Sequence, residues 1–97
     1  MLGLAMTATS RAHLRALRAD DPAMFAAVAD RLREVRRDPG GRFAGRAFLL
    51  DDGRLARLVT VFDARRRADI CLVWLIEEDA DGSVVALVWA APFSGDD

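Results

Sequence analysis

Residues 32–50 read Leu32-Arg33-Glu34-Val35-Arg36-Arg37-Asp38-Pro39-Gly40-Gly41-Arg42-Phe43-Ala44-Gly45-Arg46-Ala47-Phe48-Leu49-Leu50, and the apolar period changes inside them. On the N-terminal side Phe25, Val28, Leu32 and Val35 recur at helical spacing, the mark of a helix with one buried stripe. Asp38-Pro39-Gly40-Gly41 stops that helix, because proline cannot continue the hydrogen-bond ladder and glycine gives up backbone order most readily. Beyond the glycines the pattern is strand-like, beginning with Arg46–Leu50 and closing at the turn Asp51-Asp52-Gly53.

Working back from this junction, Asp20-Asp21-Pro22 is a second boundary. Asp21 is suited to cap and Pro22 to the first helical position, which predicts a helix from Pro22 to about Arg37. A shorter helix is expected over about Arg11 to Ala19, with Thr7, Thr9 and Ser10 as candidate caps and Leu14 and Leu17 on its buried side. Leu2, Leu4 and Met6 alternate with small residues, as in an edge strand.

Working forward, Leu55–Phe62 alternates, with Leu55, Arg57, Val59 and Val61 on one face and Ala56, Leu58, Thr60 and Phe62 on the other. A polar linker, Asp63–Asp69, precedes the continuous apolar run Ile70–Ile76, which reads as a central strand covered on both faces. Glu78–Gly82 is a second hairpin turn, and Val84–Ala90 a last strand that could pair with another chain. Two helices with apolar stripes need a sheet to cover. The expectation is therefore one domain over 1–97, a two-layer α+β fold in the order β-α-α-β-β-β(-β), with a mainly antiparallel sheet.

The 97 residues are 53% hydrophobic and 30% charged, which excludes a disordered tail. No apolar run reaches the ~20 residues of a membrane-spanning helix, and the short apolar start lacks the basic region of a secretory signal. Initiation at Met6 in place of Met1 would remove five residues. Cys71 is the only cysteine and lies in an apolar run, so it reads as a buried small hydrophobe and the expected compartment is a reducing cytoplasm. No cofactor or metal is expected: there is one histidine, His13, and the acidic turns do not match a calcium loop. The net charge of −1 conceals a division. Residues 1–67 hold all 14 arginines against eight carboxylates, whereas residues 68–97 hold seven carboxylates and no cation. An anionic partner is compatible with the first two-thirds of the chain alone.

Several stretches resemble the RelE/ParE superfamily of toxins from toxin–antitoxin pairs. Leu14–Pro22 is similar to the family's first helix and turn, and Leu32–Pro39 to the end of its second. Phe43-Ala44-Gly45-Arg46 stands where the family has an apolar residue, one intervening residue and a glycine. Arg54–Phe62 resembles the strand pair that carries a family arginine. The resemblance spans residues 4–90 and implies a toxin that acts on messenger RNA at the ribosome or on DNA gyrase, with a cognate antitoxin as partner. It also implies Arg46, Arg54 and Arg57 as catalytic candidates, since arginine offers planar bidentate donors to phosphate oxygens. Arg57 leads, because it interrupts an apolar strand face.

The chain departs from the pattern at its end: it has no tyrosine, and nothing basic follows Arg67. Cleavage as an endoribonuclease therefore lacks its usual proton-transfer group. Arg65, Arg66 and Arg67 are candidates for nucleic-acid contact, against a solvated hairpin loop as the alternative. Trp74 and Trp89 are candidates for partner binding or a homodimer seam, against ordinary core packing. The alternative function is a non-catalytic interaction or dimerisation module that keeps only partner binding.

Overall fold

A computed structural model describes residues 1–93. Seven elements follow one another: β1 (Gly3–Met6), α1 (Ala8–Asp20), α2 (Pro22–Arg37), β2 (Arg46–Leu49), β3 (Leu55–Asp63), β4 (Ala68–Asp79) and β5 (Gly82–Ala91). The α+β order is the expected one. Thr7 caps α1, its hydroxyl oxygen accepting from the Ser10 N–H at 3.1 Å. Asp21 caps α2 by accepting from the Met24 N–H at 3.2 Å, with Pro22 in the first turn. A cap of this kind contributes about 1 kcal/mol to a helix end.

The five strands form one sheet in the order β1-β5-β4-β3-β2. β1 runs parallel to β5, and every other neighbouring pair is antiparallel. β5 is thus an interior strand, and the expectation that Val84–Ala90 offers a free edge is corrected. The N-terminal strand occupies that edge, and α1 is tied down beside it. The Thr7 N–H donates to the Leu87 carbonyl at 3.0 Å, and the buried Ser10 hydroxyl donates to the same oxygen at 2.8 Å. The free edges belong to the four-residue strands β1 and β2. The polar stretch before Ile70 is also shorter than expected, because β3 and β4 extend into it and leave a turn over 64–67.

Strand alternation sends Val59 and Val61, Ile70, Leu72 and Trp74, and Val85 and Leu87 toward the helices. There they pack with Leu14, Leu17, Met24, Val28, Leu32 and Val35. Leu72, Leu87, Val28 and Val35 are fully buried, each burial worth roughly 1.5–3 kcal/mol. The opposite face carries a second apolar cluster of Ala56, Leu58, Cys71 and Val73, flanked by Phe48, Leu50, Leu75, Val88 and Trp89. The central strand β4 is accordingly buried on both faces, although helices cover only one. A bulge at Val88 shifts the register, so that Val73 faces Trp89 while Trp74 faces Leu87. No helix among the described residues is long and apolar enough to cross a membrane.

Candidate functional site

The connection from α2 to β2, taken over 41–46 with the first β2 residue included, is held at three consecutive residues, Phe43, Ala44 and Gly45. The Ala44 carbonyl, in a residue only 1% exposed, accepts from the indole N–H of Trp74 at 3.0 Å. Gly45 has φ +93, and a Cβ there would lie 2.2 Å from the Leu58 carbonyl oxygen, so only glycine fits. The Gly45 carbonyl in turn accepts from the Arg57 guanidinium at 3.1 Å. Arg31 and Arg42 both place their guanidinium carbons over the Phe43 ring, at 5.0 and 5.1 Å from its centroid. Arg31 also donates to the Thr60 carbonyl at 3.3 Å, on the stretch of β3 that β2 is too short to cover. Arg46 begins β2 beside this loop, opposite Leu58 and hence on the sheet face away from the helices.

Arg31, Arg42 and Arg57 therefore contact a loop fixed by backbone bonds and packing, and Arg46 follows it on the other sheet face. Among the described residues none of the four has a carboxylate within ion-pair distance. Three of them are exposed and Arg31 is half-buried. Guanidinium groups with unused donors on a rigid support are suited to phosphate oxygens. They cannot act as general bases, since arginine stays protonated at any physiological pH. Beside them, the α2 pairs Arg33–Asp30 and Arg37–Glu34 border a surface depression of about 370 Å³ that Arg31 and Phe43 also line.

The three arginines expected to form a catalytic group do not meet. Arg57 pairs across from Ala47 and points to the helix side, whereas Arg46 points to the other face. Arg54 sits at the β2–β3 hairpin, bonded to Asp52 at 2.9 Å and Glu77 at 3.1 Å. The backbone N–H of Arg54, followed by its guanidinium, holds the Asp52 carboxyl below the ordinary aspartate range.

The 64–67 turn has a different use. Arg66 bonds to Asp63, Asp21 and Asp20, and Arg65 pairs with Asp21 at 3.3 Å. Asp63 is buried, and its other oxygen accepts the backbone N–H groups of Arg65 and Arg66 at 3.1 and 3.3 Å. The Arg66 guanidinium chiefly holds the Asp63 carboxyl low. Asp21 is lowered mainly by the Met24 N–H that it caps, with Arg66 adding to the effect. The two carboxylates raise Arg66 in turn, Asp63 more than Asp21. Two of the three arginines thus fasten the β3–β4 turn to the α1–α2 junction. Arg67, with φ 55, is exposed and is the one left without a carboxylate among the described residues.

Trp74 lies in the helix-side core, 2% exposed, which places it away from any partner surface. Trp89 is half-buried on the open face, its indole N–H donating to the Ala91 carbonyl at 2.8 Å. His13 Nδ1 accepts the Ala90 N–H at 3.2 Å and its ring meets Trp89 edge-on at 4.5 Å, a structural arrangement remote from the arginine loop. Among the described residues no group of His, Cys, Asp or Glu is placed to hold a metal ion.

Residue typing alone missed Arg31, Arg42 and Phe43. The signal available for the last two was an arginine–aromatic pair directly after two glycines. For Arg31 there was none, because its partner ring lies on another element. No protein-family model, curated protein or solved structure matches the chain.

Proposed function

We propose that this chain contacts RNA through the arginine-bearing 41–46 loop, acting on translation in the manner of the toxin half of a type II toxin–antitoxin pair. The observation that supports this reading is three guanidinium groups on one pinned loop, with Arg46 at its end, none of them within ion-pair distance of a carboxylate among the described residues. The same resemblance includes gyrase poisons, but unused arginine donors favour a phosphate ligand over a protein surface. A cognate antitoxin is the partner that the reading requires. Binding, rather than strand scission, is the activity assigned. Cleavage in the family's manner would use a proton-transfer residue near the C-terminus, and this sequence has no tyrosine and nothing basic after Arg67.

The test is induced expression in a bacterial host while incorporation of labelled amino acids is followed. Wild-type protein should depress incorporation. A variant with alanine at Arg31, Arg42, Arg46 and Arg57, shown to be folded by circular dichroism, should restore it. Soluble wild-type protein that accumulates with incorporation unchanged contradicts the toxin reading. A second reading, a non-catalytic interaction or dimerisation module, draws on that same departure from the family's pattern. It predicts a stable homodimer or a co-purifying protein partner, with translation unaffected.

A further inference from the structure

The open sheet face holds a groove that has no part in the arginine loop. It encloses about 460 Å³. Val73, 1% exposed, forms its floor; Phe48 and Leu50 line it on the β2 side, Val88 and Trp89 on the β5 side. Phe93 stacks on Phe48 at 5.8 Å and lies 5.9 Å from Trp89, bridging the two sides while remaining 45% exposed. Asp51, Asp52 and Arg54 complete the lining at the β2–β3 hairpin. Arg54 is already shared by Asp52 and Glu77, and Asp51 has no ion-pair partner among the described residues. Three carboxylates against one guanidinium leave that end of the groove negative.

We propose that this groove docks an apolar segment of a partner polypeptide that carries a basic side chain at its Asp51–Asp52 end. Two features select that occupant. Aromatic rings converging on a shared hollow, Phe93 exposed and Phe48 and Trp89 half-buried, are the anchors around which protein–protein affinity concentrates. The negative end is complementary to a cation and repels an acidic segment. The proposal does not rest on the RNA reading, because no residue of the groove belongs to the 41–46 loop.

The experiment uses the full chain and two fluorescein-labelled, capped peptides of one sequence, Leu-Phe-Val-Leu followed by Arg in one and by Glu in the other. Fluorescence polarisation should give a Kd for the Arg-ended peptide about fivefold or more below that of its twin. Asp51→Asn should reduce that preference to about twofold. Phe93→Ala, a change at an exposed ring, should weaken both peptides. The proposal is overturned if neither peptide binds, if the Glu-ended peptide binds as well as its twin, or if Phe93→Ala changes nothing. It is also overturned if the protein self-associates at rising concentration and peptide binding is lost in step, which would assign the groove to a second copy.

Discussion

The 41–46 loop and the 64–67 turn are both arginine-rich connections, and the chain uses them in opposite ways. At the turn, carboxylates from three elements meet the cations: Asp20 at the end of α1, Asp21 at the cap of α2 and Asp63 at the end of β3. At the loop, the arginines meet a phenylalanine ring and backbone carbonyls, and none has a carboxylate within ion-pair distance among the described residues. A run of three arginines is thus mostly a fastening, whereas four arginines scattered along the sequence are brought to one loop without a carboxylate beside them among the described residues. Local density of charge says little about availability. What decides it is which carboxylates the topology carries alongside, in this case from residues about forty-five positions away.

The change expected to act most strongly on this contrast is Arg66→Ala. It leaves the buried Asp63 carboxylate without its guanidinium and unfastens the turn from the helices, so thermal unfolding should shift down by several degrees. Arg42→Ala, at the loop, should leave the melting temperature nearly unchanged, because an exposed arginine away from such a contact shifts stability by no more than about 0.5 kcal/mol. Equal shifts in the two variants would erase the distinction. Gly45→Ala comes next. A positive φ and a blocked Cβ direction predict a loss of more than about 1 kcal/mol, with weaker RNA binding because the loop moves. Retained stability and affinity would mean that the loop is not rigid.

Acid provides a third comparison. Asp63 and Asp21 are held below the ordinary value of 3.8, so as pH falls the unfolded chain takes up their protons first. Their contribution is complete above about pH 5 and is lost as the pH drops through 3.8 and further toward the depressed folded values. Unfolding followed against pH should therefore show an acid limb that is shallower in Arg66→Ala than in the wild type. The smallest effect belongs to single arginines of the loop. Arg42→Ala or Arg46→Ala should weaken RNA binding uniformly across sequences and reduce the steepness of its salt dependence by about one phosphate contact.

The element order and the limits of α2 were legible because they rest on local signals: a helical stripe, a proline after an aspartate, and a stop at Asp38-Pro39. The faces of β3 were legible too, since alternation alone puts Arg57 with Val59. Position within the sheet was not. Val84–Ala90 has the composition of any apolar strand, and only the distant pairing with Gly3–Met6 makes it interior. The two tryptophans were likewise equivalent in sequence. The bulge at Val88 and the alternation of β4 send Trp74 into the helix-side core and Trp89 to the open face. The expected catalytic grouping failed for a similar reason. Arg54 lies on a hairpin, where Glu77 from another strand reaches it, and Arg46 and Arg57 differ by an odd number of residues across a strand pair.

The central claim, that the loop and not the turn presents the usable positive charge, is tested most directly by titrating a short single-stranded RNA at several salt concentrations. The slope of log K against log salt for the wild type should be steep, near −0.7 for each phosphate contact. It should flatten toward zero when Arg31, Arg42, Arg46 and Arg57 are all alanine, and stay at the wild-type value in Arg65→Ala. A slope that survives the fourfold change, or that collapses in Arg65→Ala, would contradict the account.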